Sequence, residues 1–190
     1  MRTLTWRVTE SGGYETSWIT LDATTLTAHG RIFGALPDPY WIAYELETDE
    51  NWTTRRMTVT SDTETSTHHL DLRRDASTHT WTANGTALPW ATEALDCDLG
   101  LSPLTNTMPV LRHDLHRAPG THDFLMAWIR VPDLTVVPSL QTYTHLSSNR
   151  VRYTSNTFRS DLTYDEAGLV VTYPGMAHRL TDDATDLRER

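Results

Sequence analysis

The stretch MTVTSDTETSTHHLDLRRDASTHTWTANG, residues 57–85, carries the reading of the fold class. Met57 and Val59 alternate with Thr58 and Thr60, the period of a half-buried strand, and the polar run Ser61 to Thr65 closes it. Leu70 and Leu72 then share a face with His68, while His69 and Asp71 share the other. Arg74-Asp75-Ala76-Ser77 supplies the next reversal. After it, Thr78, Thr80 and Thr82 line one side of a strand, with His79 and Trp81 on the other. Asn84-Gly85 has the chemistry of a two-residue hairpin turn, whose central residues need positive φ. Three or four antiparallel strands in series follow.

The same grammar extends both ways. Upstream, Leu4/Trp6/Val8 alternate, Tyr14 to Leu21 and Leu26/Ala28/Gly30/Ile32 read as strands, and Tyr40 to Leu46 follows the break at Pro37-Asp38-Pro39. Downstream, Phe124 to Val131 has so little polar relief that it predicts a strand buried on both faces. Leu140 to Tyr143, Arg150 to Thr154 and Phe158 to Thr163 are further strands. Asp165-Glu166-Ala167-Gly168 then turns the chain into Leu169 to Tyr173, which Pro174-Gly175 ends. Residues 91–118 break the rhythm, reading as a structured loop with at most a short helix at Ser102-Pro103, and strand character returns at Val110 to Leu115. No helical apolar stripe of useful length is present, which excludes a sheet with crossover helices. The fold class is all-β and mostly antiparallel, with at most short helices.

At 190 residues the chain predicts a single domain over residues 1–180, with a charged, frayed tail at 181–190. A net charge of −9 counts against nucleic acid or an anionic membrane as partner. One cysteine, Cys97, rules out an internal disulfide. Neither a signal-peptide pattern nor a transmembrane-length apolar run is found, so the expected location is cytoplasmic.

None of the common nucleotide, hydrolase or metal motifs occurs, and no cofactor or metal is expected. His113 and His116 would face opposite ways on a strand, which argues against a metal site. Asp96 and Asp98 share one face of an extended segment. They read either as a general acid and base or as turn caps that accept backbone N–H groups. Cys97 between them reads as a small buried residue. Seven Trp and seven Tyr are many for this length. On a curved sheet they either fill the core, the reading favoured for any one of them including Trp81, or wall an apolar hollow with polar tips at its rim. Asn106, Gln141 and Arg152 supply hydrogen-bonding groups for a polar head, or else satisfy loop backbone and acids.

Asp96-Cys97-Asp98-Leu99 followed by Ser102-Pro103-Leu104-Thr105-Asn106-Thr107-Met108-Pro109-Val110 resembles the DxDL…(S/T)PFTNTLPIRR stretch of a bacterial family named "putative glycolipid-binding". Tyr44-Glu45-Leu46 with Asp49, Trp52 and Arg56 is similar to an earlier part of that family's pattern. Pro132-Asp133-Leu134, Gln141-x-Tyr143, Arg152-Tyr153, Phe158 and Asp165-x-x-Gly168 through Gly175 complete it in order. Leu104 and Met108 stand where the family has Phe and Leu, and Leu111 where it has its first Arg, with Arg112 retained. The resemblance implies a sheet of about a dozen strands bent into a half-barrel, like the periplasmic lipoprotein carriers and receptors. Together with Trp81 from the aromatic reading, it gives an expected binding set of Tyr44, Trp52, Arg56, Trp81, Asp96, Asp98, Asn106, Arg112, Gln141, Tyr143, Arg152 and Tyr153.

The function expected is a soluble binder of a lipid or glycolipid-like amphiphile, held on the concave apolar face. Each buried methylene would contribute about 0.8 kcal/mol, enough for micromolar binding by a medium-length chain. Two alternatives stand beside it: an enzyme acting on a lipid-like or carbohydrate substrate through Asp96 and Asp98, and a protein-interaction module with a filled core. Oligomeric state is open.

Overall fold

The computed structural model describes residues 1–180, so the expectation of a frayed tail at 181–190 lies outside the described residues. Fifteen strands form one sheet. The first eight are β1 (Arg2–Val8), β2 (Gly13–Leu21), β3 (Leu26–Gly34), β4 (Tyr40–Thr48), β5 (Thr54–Thr63), β6 (Thr67–Arg74), β7 (Trp81–Ala83) and β8 (Thr86–Ala87). The rest are β9 (Asp96–Leu99), β10 (Thr121–Ile129), β11 (Val136–Ser147), β12 (Arg150–Ser155), β13 (Phe158–Tyr164), β14 (Val170–Tyr173) and β15 (Ala177–Arg179). A single short helix, α1 (Thr107–Arg112), follows a 3₁₀ turn at Leu104–Asn106.

The strand order is β8-β7-β6-β5-β4-β3-β2-β1-β15-β14-β13-β12-β11-β10-β9, antiparallel throughout except where β9 lies parallel to β10. The all-β, mostly antiparallel reading holds, with fifteen strands rather than about a dozen. Consecutive hairpins need only local turns, which is why so many were legible. Asn84 and Gly85 sit at φ 49° and 79°, the double positive pair that Asn-Gly announces. The pairing of β1 with β15 (Trp6 opposite Arg179, Val8 opposite Ala177) joins the two ends of the sequence at the middle of the sheet.

The sheet is not closed, yet its edge strand β9 comes back to touch β5. Thr54 N–H donates to Leu95 O at 3.0 Å, and Cys97 N–H donates to Thr54 Oγ1 at 3.1 Å. The segment from Ser102 to Val110 is buried within this wrap. It hydrogen-bonds to β2 through Ser102, to β9 through Thr105, to β11 through Asn106 and to β13 through the Asn106 carbonyl. One short segment reaches four strands spread across the sheet, so the sheet bends around it.

Several local expectations are corrected. Val110 to Arg112 belong to α1, and 113–115 to a turn, not to a strand. With no strand pairing of its own, this backbone satisfies its polar groups through local turns: Asp114 N–H donates to Leu111 O at 3.2 Å and Leu115 N–H to Val110 O at 2.9 Å. Asp96 to Leu99, read as loop, is strand β9, because β10 offers it a partner. Thr78 and Thr80 precede β7 instead of lying in it. The Asp75 carboxylate accepts from Ser77 N–H at 2.8 Å and Thr78 N–H at 3.0 Å and holds them in a turn. β10 is buried on both faces over part of its length, with Phe124 and Met126 on one and Ala127 and Ile129 on the other, but Trp128, on the Phe124–Met126 face beside the edge strand β9, is 37% exposed. β15 was not read from the sequence at all.

Candidate functional site

Asp98 sits on edge strand β9 opposite Trp128 of β10. The strand's alternation sends its neighbour Cys97 elsewhere, into full burial, where desolvation pushes the thiol up to about 12 and leaves it unreactive. Asp98 Oδ1 accepts from Thr105 Oγ1–H at 2.8 Å, and Oδ2 accepts from Gln141 Nε2–H at 2.7 Å. Burial raises its carboxyl above the ordinary range. These two donors oppose the rise and the negative charge of Asp96 adds to it.

Behind this pair the network continues. The single Tyr143 hydroxyl proton is shared between Asn106 Oδ1 at 2.9 Å and Gln141 Oε1 at 3.1 Å. Gln141 and Tyr143 project from the same face of β11, two residues apart. Beside them an aromatic ladder crosses the strands. Tyr143 meets Tyr153 edge-on at 5.4 Å, and Tyr153 meets Tyr173 at 5.8 Å and Phe158 at 6.0 Å.

These groups border an open cleft of about 850 Å³. One wall is the segment Asp98 to Ser102 with Asn106; another is Trp128, Arg130 and Val131. The remainder comes from Pro138 to Gln141, Tyr153, Ser155 to Phe158, Tyr173, Met176 and Glu10. Leu140 and Phe158 are 70% and 50% exposed, a large apolar surface to leave in water beside a concavity.

Of the twelve residues expected from the sequence, Asp98, Asn106, Gln141 and Tyr153 line this cleft, and Tyr143 supports them from behind. The others are elsewhere. Asp96 is fully buried and held by Arg112 through contacts of 2.7 and 2.5 Å, while Arg112 also donates to the carbonyls of Asn51 (3.0 Å) and Trp52 (3.1 Å). That ion pair ties α1 and β9 to the 50–52 turn. It also separates the roles of the two aspartates, since only Asp98 borders the cleft. Trp81 fills the core and donates its indole N–H to Ala94 O at 2.9 Å. Arg56 pairs with Asp71 at 2.8 Å and Arg152 with Asp161 at 2.7 Å, away from the cleft.

Tyr44 lies in a second, wholly buried cluster around Glu15, a residue the sequence reading passed over. Glu15 Oε1 accepts from Ser17 at 2.9 Å, Tyr44 at 2.5 Å and Ser102 at 2.9 Å, and burial drives its carboxyl up to about 7. The signal was there: an acid at an inward position of β2, between Gly13 and Ser17. The cleft's Trp128, Leu140 and Met176 were also missed, because nothing local distinguishes a cleft-facing apolar residue from a core one. His113 stacks on His122 at 3.8 Å and His116 is buried apart from it. Among the described residues no group of three or more His, Cys, Asp or Glu is placed to share a metal, and no helix is long and apolar enough to cross a membrane.

No curated protein sequence matches the chain. A crystal structure of a DUF1089 family protein from Pseudomonas aeruginosa superposes with a TM-score of 0.74 at 29% sequence identity, covering 87% of this chain and 92% of that one. The model of the family described as "Putative glycolipid-binding" matches residues 3–179, nearly the whole of the sheet, and the chain belongs to that family.

Proposed function

We propose that the chain binds a lipid-like amphiphile in the cleft beside Asp98, its apolar part against Leu140, Phe158, Tyr153 and Trp128 and its polar head toward Asp98 and Gln141. The observation that carries this reading is the cleft itself: about 850 Å³, with more apolar than polar surface and with Asp98, Asn106 and Gln141 of one polar network among its lining residues. That volume lies within the roughly 300–1,000 Å³ of small-molecule sites. Eight methylenes buried there would contribute about 6 kcal/mol before ordering costs, so micromolar affinity, about 8 kcal/mol net, needs a longer chain or head-group hydrogen bonds as well. The family's description points the same way. The interior of the sheet is filled by residues 102–110, so the ligand occupies the cleft at the margin of that segment and not the hollow of the whole sheet. We propose a cytoplasmic setting, in keeping with a lone, buried cysteine at position 97.

The test is gentle purification followed by native mass spectrometry, with a neutral dansyl decylamide probe in parallel. A bound species of lipid-like mass, and a probe whose emission shifts blue with micromolar affinity, are expected. Protein that is repeatedly ligand-free and leaves the probe unchanged would overturn the reading.

A further inference from the structure

Among the described residues, the charged groups lining the cleft are Glu10, Asp98 and Arg130. Glu10 and Arg130 are exposed at its mouth, whereas Asp98 sits on the inner wall. Each Asp98 oxygen accepts one protein hydrogen bond, from Thr105 or from Gln141. A carboxylate oxygen has about two acceptor positions, so each keeps one in hand. The amides around it cannot turn to change this polarity. Gln141 and Asn106 are both almost fully buried, and because a carboxylate only accepts, it is the Gln141 Nε2–H group that meets Asp98 Oδ2 at 2.7 Å, leaving Oε1 to share the single Tyr143 hydroxyl proton with Asn106 Oδ1. That fixes the Gln141 amino group, not its carbonyl, toward Asp98. The inner wall therefore ends in an oriented acceptor that has room for further donors.

Given the amphiphile reading above, on which this rests, we infer that the head group meeting Asp98 is a hydrogen-bond donor without negative charge, such as a hydroxyl, and that phosphate and carboxylate heads are rejected there. A ligand hydroxyl completes the carboxylate's hydrogen bonding and is itself desolvated with a partner. An anionic head in the same place brings a second negative charge against Asp98 in a partly dehydrated site and adds no donor. A sugar and a glycerol ester both offer this chemistry.

The experiment compares four ten-carbon ligands below their micelle-forming concentrations at pH 8 by titration calorimetry: decyl glucoside, 1-decanoylglycerol, decyl phosphate and decanoate. The first two are expected to bind at least tenfold more tightly than the last two, and the tighter of the pair identifies sugar or glycerol as the source of the hydroxyls. In Asp98→Asn the hydroxyl heads weaken, the anions gain, and the ratio falls below threefold. The wild-type order decides the matter even where that variant does not fold. Phosphate or decanoate binding as tightly as glucoside overturns the head-group inference while leaving the amphiphile reading intact. Failure of all four, together with an unmoved neutral probe, overturns both.

Discussion

Glu15 is a buried acid that makes the stability of this molecule depend on pH. Its side chain is completely buried, and one oxygen collects three hydroxyl donors while Oε2 has no partner. Burial dominates over those donors, so the folded carboxyl keeps its proton to about pH 7 against an ordinary value of 4.5. Between those values the folded state holds more protons than the unfolded one. Stability therefore falls as pH rises through this window, is intact below it, and levels off above pH 7. The shift corresponds to about 3 kcal/mol. Other groups titrate in the same range; His113 and His116, held below their ordinary values by burial, contribute stability in the opposite direction. The comparison with Glu15→Gln isolates the one residue, since glutamine keeps the acceptor and cannot ionise. Urea unfolding at pH 5, 6, 7 and 8 should show the wild type losing roughly 3 kcal/mol relative to the variant. Two parallel curves would rule the ionisation out.

At the scale of the strand, register is locked by tyrosines lying over glycines. Gly30 faces Tyr44 and Gly34 faces Tyr40 across the β3–β4 pair, and in each case an added Cβ would overlap the tyrosine ring. The large ring fills the space left by the missing side chain and covers the glycine backbone. Strand propensity alone makes Gly30→Ala stabilising, because glycine is a poor strand residue. The packing predicts the opposite sign: Tyr44 is displaced, its short contact with Glu15 breaks, and stability falls by about 1–3 kcal/mol. Chemical denaturation of Gly30→Ala measures this, and a neutral or stabilising result would mean that Tyr44 repacks freely. The same scale shows what a sequence can and cannot announce. The hairpins from β2 to β7 were legible because alternation and turn chemistry are local properties. β9 was not, since Asp96-Cys97-Asp98-Leu99 becomes a strand only when β10, about thirty residues later, lies beside it. Val110 to Leu115 misled for the converse reason: its composition suits a strand, but the folded chain offers it no edge.

At the scale of the whole molecule, the 102–110 segment is both the filling of the sheet and one wall of the cleft. The family pattern around it identified the region, and Asp98, Asn106, Gln141 and Tyr153 do converge there. Arg56 and Arg152 do not, because each already has a carboxylate on the next strand: Asp161 directly opposite Arg152, and Asp71 diagonal to Arg56, two residues from its cross-strand partner Arg73. No reading of spacing tells an arginine that will face a ligand from one that will face its cross-strand neighbour. The filled interior carries a further consequence for how a ligand enters. Asn106 and Ser102 are pinned to Tyr143 and Glu15, and Arg112 is pinned to Asp96, so expelling the segment would break a buried ion pair and several buried hydrogen bonds at once. A ligand that uses the existing cleft disturbs none of them. At a concentration of 100 Kd it would stabilise the folded state by about 2.7 kcal/mol. Hydrogen exchange read by mass spectrometry with and without saturating decyl glucoside distinguishes the two routes. Peptides covering Gln141 and Tyr153 should exchange more slowly with ligand, and those covering 107–112 should exchange no faster. Accelerated exchange in 107–112 would mean that the ligand displaces the helix and occupies the centre of the sheet, and the cleft beside Asp98 would then be only the entrance.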